Sequence, residues 1–463
     1  MFQTAEVALQ MSNFLTSPNE SIRTNAHNYL LSFQTSPEAW MICRELMVPT
    51  TQDLALNLSS HIFYKKLQTE FFSLANPLKI ELKQYLLNLV LAPFNSSVFI
   101  RKMCQSVALV GVFGIGSFWE DFVIDVLRLP KLEIMLDIVD CLPFCLEEFI
   151  VSKKTVEMVK SKIKENVDTI LECLYVTVKD KGYVRQVVQI LKNWRLINLP
   201  IFGHTGLFQE LIRQFYLCDD NFPLICEAFN TCVTLSSHAQ IFQQSSFKPN
   251  LSYYSSMIPP EYFNNLLILV QGLCQLPFLS CSNPDSQRWG SELVISIGNN
   301  FIFLLLEPIP LWDVIQQITG HSNLSVCMVA IEFYYNLRDI LVTIPQFPEF
   351  LFEKLLVCTK SLAFRCKILS HEMLFKVLNQ KSEEEEVTFM QFRISAEDAF
   401  YSVFLIFNKH HSEKGRGFIK ELGGLLAEQD EFNSEIFVFM MRSILLGITE
   451  HKEFLLLSEV RNN

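Results

Sequence analysis

Apolar residues recur along this chain on the 3.6-residue period of a helix, in short segments separated by polar turns. The stretch from Ser17 to Gln68 carries the pattern most completely. Ser17, Pro18 and Glu20 read as a capping box with proline at the first helical position, where its missing N–H costs nothing. Ile22, Ala26, Tyr29, Leu30 and Phe33 then fall at i, i+4, i+7, i+8 and i+11, one apolar stripe. Ser36 and Pro37 repeat the start signal, and Trp40, Cys43 and Met47 form the next stripe. A third helix is predicted to open near Thr50 with Leu54, Leu58 and Ile62 facing inward. Each helix is one-sided and too short to stand alone, so each must stack on the next.

The same rhythm continues downstream. Met1–Leu15 predicts a helix before the Ser17 segment, and Pro77–Leu91 with Ser96–Val112 predicts a pair after it. Further pairs are predicted over Trp119–Leu129 and Lys131–Ile150, Val167–Val178 and Tyr183–Leu196, and Gly206–Leu217 and Phe222–Leu235. After a polar, serine-rich loop at Ser236–Pro260 the pattern resumes at Tyr262–Leu276 and Gln287–Leu306, then Leu311–Thr319 and Leu324–Leu341. Phe347–Leu369, Phe389–Phe407, Gly417–Gln429 and Ser434–Thr449 complete it. Two antiparallel helices recurring about every 40 residues is the HEAT-type period, and about ten such repeats predict an all-α, right-handed superhelical solenoid. The tail Leu455–Asn463 brings no polar capping helix, so the array reads as docking on something or as continuing in a longer protein.

Composition supports an array over strands: half the residues are apolar, while Gly (15) and Pro (18) are scarce for a fold built on tight turns. The net charge of −11 argues against a groove that neutralises phosphates, and favours a basic protein partner over nucleic acid. The 13 cysteines lie in apolar stripes without any C-x-x-C, which points to a reducing compartment, cytosol or nucleus. Two uncharged runs, Met103–Trp119 and Tyr262–Pro284, are interrupted by Gln, Asn, Ser, Gly or Pro and read as core helices, not membrane spans.

Catalytic signatures are missing: the chain has no G-x-x-x-x-G-K-[ST], H-E-x-x-H or G-x-S-x-G. Gly111, Gly114 and Gly116 imitate a phosphate loop, but no strand precedes them and no lysine follows, so helix crowding is the expectation. Cys141 and Cys145 sit one turn apart with no histidine near them and read as core. His410 and His411 read as a solvated turn, and the lysines of Val151–Lys164 as a solvated segment. Neither a cofactor nor a metal is expected. The better lead is the helix opening near Thr50, where Asn57, Ser60, His61, Tyr64 and Gln68 flank the inward stripe, a polar and aromatic mixture suited to a wet protein interface or simply to a solvated face. Arg101, Lys102 and Gln105 open a similar face one repeat later.

Arg23, Ala26, Tyr29-Leu30, Phe33-Gln34, Ser36, Glu38-Ala39-Trp40 and Ile42, followed by Lys66-Leu67-Gln68-Thr69 and Phe71, resemble the importin-β N-terminal pattern. Their spacing is similar to the transportin-SR and importin-thirteen branch, as are LKNWRLINLP at Leu191–Pro200 and VAIEFYYNLRDIL at Val329–Leu341. So is the acidic run followed by FMQFRISAEDAF at Phe389–Phe400. The resemblance implies a shuttling nuclear transport receptor, present in nucleus and cytoplasm. Such a receptor carries protein cargo past nucleoporins, inserts in no membrane and releases cargo under control of the GTPase Ran. It divides the chain into Ran-binding repeats at 1–112, central repeats at 113–378, an acidic inter-helix loop at 379–388 and last repeats at 389–463. It assigns Asn57, His61, Tyr64, Lys65, Arg101 and Gln105 to Ran-GTP, and Glu383, Glu384, Glu385 and Glu386 to Ran or to an Arg/Ser-rich or basic cargo. The chain is about half the usual length of that family, lacking the C-terminal arch assigned to cargo. The alternative is a HEAT scaffold of a cytosolic assembly that does not depend on Ran.

Overall fold

The structure, a computed structural model, describes residues 2–147, 153–194, 204–217, 221–234, 258–342, 347–377, 383–410, 417–420, 438–442 and 444–445. Two compact units divide it, Met1–Leu199 and Pro200–Asn463. No strand occurs among the described residues.

The first unit contains α1 (Thr4–Thr16), α2 (Glu20–Thr35), α3 (Ala39–Leu46), α4 (Asp53–Glu70), α5 (Asn76–Leu91), α6 (Ser97–Gly114), α7 (Phe122–Leu127), α8 (Leu132–Glu147), α9 (Lys153–Glu165), α10 (Val167–Val178) and α11 (Val184–Asn193). Apart from α9, these pair consecutively: α1 with α2, α3 with α4, α5 with α6, α7 with α8 and α10 with α11. The second members form a continuous row, α4 against α6, α6 against α8 and α8 against α11. In the second unit α12 (Thr205–Leu217), α13 (Phe222–Thr234), α14 (Pro260–Gln275), α15 (Pro284–Asn300), α16 (Leu311–Thr319), α17 (Leu324–Leu341), α18 (Glu349–Val377) and α19 (Glu383–His410) repeat the plan. There both rows are continuous, α12–α14–α16–α18 and α13–α15–α17–α19. Each unit is a stack of helical hairpins whose apolar stripes meet between the rows, the repeat architecture that the periodicity predicts.

Several starts and faces differ from expectation. Helix α2 begins at Glu20, capped by the Asn19 side chain, which accepts from the backbone N–H of Ser21 and Ile22. Ser17 instead ends α1, and Pro18 lies ahead of the cap. Helix α4 begins at Asp53, and its inward face is rotated from the predicted stripe: Leu54 is exposed while Ser59, Ser60 and Lys66 are buried. The hydroxyls explain the misreading. Ser59 Oγ bonds the Ala55 carbonyl at 2.7 Å and Ser60 Oγ the Asn57 carbonyl at 2.6 Å, so both are satisfied within the helix and small enough for close packing. The acidic run, expected in a loop, opens α19: residues 383–386 form its first turn, where the helix dipole favours carboxylates. His410 is also no solvated turn; its Nε2 bonds the Leu341 carbonyl at 2.6 Å and its ring stacks on Phe347. His411, the 235–257 stretch and most of Gly417–Thr449 lie outside the described residues.

Other expectations hold. Gly111 marks close packing, since a Cβ there would come within 2.2 Å of the Phe122 ring. Cys141 and Cys145 are buried. The uncharged runs are a mixed case: the spans Ser97–Gly114 and Pro260–Ser280 are long and apolar enough to cross a membrane by length and composition alone, the first mostly buried and the second less than half buried, and α6 and α14 pack against neighbouring helices.

A buried polar node ties the first hairpins together. Lys66 is only 2% exposed, and its ammonium donates to Glu70 Oε1 at 2.5 Å and to the Ser36 carbonyl at 2.8 Å. The indole of Trp40 donates to the other oxygen of Glu70 at 2.8 Å. Glu70 thus holds the start of α3 through Trp40, and Lys66 beside it holds the α2–α3 turn through Ser36. Removing Glu70 strands a buried cation. Glu70→Ala is expected to lower stability by about 3 kcal/mol, the lower end of the cost of breaking a buried pair because Glu70 is itself partly exposed. The double change Lys66→Met, Glu70→Gln should recover most of that loss, read as the shift in the urea unfolding midpoint.

Candidate functional site

The second row of the first unit carries its polar residues in stripes at helical spacing. Helix α4 contributes Asn57, His61 and Lys65 at i, i+4 and i+8, with His61 and Lys65 exposed. Tyr64, expected on the open face, is buried, because the Lys102 ammonium of α6 sits 4.6 Å from its ring centre and covers it. Asn57 is half-buried and accepts from Ser96 Oγ at 2.9 Å across the α4–α6 seam. Partial burial, and secondarily Lys102, holds the His61 imidazole below its ordinary value, so it is uncharged at neutral pH. Arg101 is also exposed, its side chain at 69%, and Gln105 beside it is half-buried, its main-chain carbonyl 3.8 Å from Cys145 Sγ. The six residues therefore lie on two adjacent helices. His61, Lys65 and Arg101 offer side chains to solvent, while Asn57 and Tyr64 act inside the seam.

The stripe continues onto helices that the sequence reading leaves aside. Glu133, Asp137 and Asp140 occupy i, i+4 and i+7 of α8, and Gln186, Gln189 and Asn193 occupy i, i+3 and i+7 of α11. Gln186 Nε2 donates to Asp137 at 2.9 Å, Asn193 Nδ2 donates to Asp140 at 2.7 Å, and Arg101 reaches Asp140 from the other side at 4.0 Å. Trp194, which closes α11, donates its indole N–H to the Val139 carbonyl at 2.8 Å. The signal was available: three carboxylates on one face of a mostly apolar helix such as α8 are unexpected in a core helix. Burial raises both aspartates, opposed at Asp137 by Gln186 and Arg101 and at Asp140 by Asn193 and Arg101. Along the row the side chains pass from the exposed cations Lys65 and Arg101 on α4 and α6, through the carboxylates of α8, of which Glu133 is exposed and Asp140 buried, to the half-buried amides of α11. For Glu383–Glu386 only the helical backbone is described, so no geometry ties their side chains to this row.

No family model matches the chain, and no curated protein does. Among solved structures it is similar to the karyopherin Kap121p bound to the SUMO protease Ulp1p, at 12% identity and a TM-score of 0.46 over 99% of this chain and 51% of that one. It is also similar to Kap121p bound to Nup53p, at 12% identity and a TM-score of 0.45 over 98% and 51%. The chain thus spans about half the length of the solved structures it matches.

The raised aspartates give a pH test. Above the ordinary aspartate value of about 4 the native state holds more protons than the unfolded chain, so stability declines as pH rises through that region. Asp140→Asn removes this contribution and keeps an acceptor for Asn193, so its stability relative to wild type should improve as pH is raised from about 4 upward. Asp140→Ala leaves the Asn193 amide without its partner and should cost about 1–3 kcal/mol. Urea unfolding across pH separates the two.

Proposed function

We propose that this chain is an importin-type nuclear transport receptor, or the N-terminal part of one, that binds Ran-GTP through the α4–α6 face and takes part in moving proteins between cytoplasm and nucleus. One coincidence carries the reading. The residues resembling the importin-β N-terminal pattern run through α2, α3 and α4, and the residues which that resemblance assigns to Ran fall on two neighbouring helices of one row, three of them open to solvent. Lys65 on α4 and Arg101 and Lys102 on α6 put three cations on two packed helices of a chain of net charge −11, which favours an acidic protein surface as the partner. The finer placement in the transportin-SR and importin-thirteen branch rests on the sequence segments alone. So do nucleoporins as partners, Arg/Ser-rich or basic cargo and shuttling between compartments.

The test is capture of Ran loaded with GTP or with GDP by the purified chain. Binding to the GTP form should exceed binding to the GDP form by at least about tenfold, and Lys65→Glu with His61→Ala should weaken it by about tenfold while leaving the helical circular-dichroism signal unchanged. Equal capture of both forms, or of neither, sinks the reading and favours the scaffold that works without Ran.

A further inference from the structure

Two Ser-Pro dipeptides, Ser17-Pro18 and Ser36-Pro37, lie just ahead of α2 and α3, and the chain has no other Ser-Pro and no Thr-Pro. Neither serine caps its helix: the Asn19 side chain caps α2, and α3 follows Glu38 without a side-chain cap. The two serines sit in opposite surroundings. Ser17 has φ −66° and ψ 129°, Asn19 continues with φ −83° and ψ 119°, and Thr16, Pro18, Asn19 and Glu20 are all exposed around it. The Ser17 hydroxyl accepts a long bond from the Asn19 N–H, 3.3 Å, in an exposed position. Ser36 Oγ, by contrast, is buried without a hydrogen-bond partner, and the Ser36 carbonyl holds the Lys66 ammonium at 2.8 Å. The chain there turns at once into α3, Glu38 being helical at φ −65° and ψ −22°.

We propose that Ser17 is phosphorylated by a proline-directed serine kinase and that Arg23 holds the phosphate. Such a kinase reads a serine followed by proline in an extended chain, because proline has no N–H to leave unpaired and keeps the residue before it extended. The segment 17–19 meets that requirement in the folded protein, and the second dipeptide does not. Arg23 of α2 donates from Nη1 to the Ser17 carbonyl at 2.9 Å and to the Pro18 carbonyl at 3.1 Å, so its guanidinium is already folded back over this segment. A phosphate on the Ser17 hydroxyl comes within a few ångströms of it and meets a planar fork suited to phosphate oxygens. Glu20 opposes the phosphate by like charge, so the gain rests on Arg23. In the transfer, the γ-phosphorus of ATP loses its bond to the bridging oxygen and gains one to Ser17 Oγ; ADP leaves, and the hydroxyl proton passes to the kinase's base. The modification requires neither Ran nor cargo.

The test is labelling of the full chain with ATP and a MAP-kinase-type proline-directed kinase, mapped by mass spectrometry. Ser17 should take up about one phosphate per chain, while Ser36, reached only through local opening, should be labelled at least about tenfold more slowly. Peptides of residues 11–24 and 30–43, which lack the fold, should be labelled at similar rates. The phosphorylated chain should resist urea better, its unfolding equilibrium constant falling about three- to tenfold, and Arg23→Ala should remove most of that gain while leaving Ser17 labelled. No label at Ser17, equal labelling of Ser17 and Ser36 in the folded chain, or the same preference for Ser17 in the peptides would each overturn the proposal. So would label at Ser17 that brings no gain in stability, or a gain that Arg23→Ala leaves untouched.

Discussion

None of the described helices can bury its apolar stripe without the helices beside it, and that dependence organises everything else. Helix α4 makes the point: it packs against α1, α2, α3 and α6, and its buried surface spans most of its circumference. Only a strip around His61 and Lys65 remains open. In a stack of this kind each helix of the second row has two flanks committed to neighbours and one side to its own hairpin partner, so ligand chemistry is confined to the remaining side. Exposed polar residues at i, i+4 spacing on those helices are therefore concentrated where a partner can reach them.

The links across the seams grade from fixed to loose, and this grading separates structural from available residues. Trp194 to Val139 at 2.8 Å, Lys66 to the Ser36 carbonyl at 2.8 Å and Asn193 to Asp140 at 2.7 Å each hold at least one buried group, and losing its partner leaves that group unsatisfied in a dry environment. Arg101 to Asp140 spans 4.0 Å with the guanidinium mostly in water, and an exposed pair of that kind contributes little to stability. Arg101 can leave Asp140 for a partner's carboxylate at small cost, because Asn193 still satisfies Asp140. Lys102 cannot do so as freely, since withdrawing it uncovers the Tyr64 ring. Among the residues assigned by resemblance, then, Lys65, His61 and Arg101 are available for binding and Tyr64 and Asn57 act as its support.

The helical period was legible because it depends only on which positions are apolar; Leu311–Thr319 and Leu324–Leu341 fall where the pattern puts them. Faces were less legible. Ser60 is expected on the polar flank and is buried with Ser59 and Lys66, since hydroxyls bonded to their own helix and an ammonium paired with Glu70 pack as core residues do. Caps were misplaced by a few residues where Ser17-Pro18 competes with Asn19, because sequence lists candidate acceptors and only geometry chooses among them. The α8 and α11 part of the polar row was missed for a different reason: its members are far apart in sequence, and only the stacking of hairpins brings Asp137 to Gln186 and Asp140 to Asn193.

The residues that carry the family resemblance are mostly those that hold hairpins together. Trp40 and Lys66 meet at Glu70, Trp194 anchors α11 to α8, and Phe333, Tyr334 and Leu337 are core residues of α17, with the Tyr334 hydroxyl 2.7 Å from Thr319 Oγ1. A pattern of this sort reports how the repeats stack, because packing tolerates few alternatives at a buried aromatic or a paired lysine. It does not by itself report what the open faces bind. Those faces differ between the units in kind: charged stripes on α4, α6 and α8 in one, and amides over an apolar floor on α13, α15, α17 and α19 in the other. Charges act at a distance and weaken with salt, whereas amides act only in contact and are nearly indifferent to it. The first surface therefore depends mainly on charge, whereas the second, with Glu332 and the Arg288–Glu292 pair among its amides, mixes charge with contact.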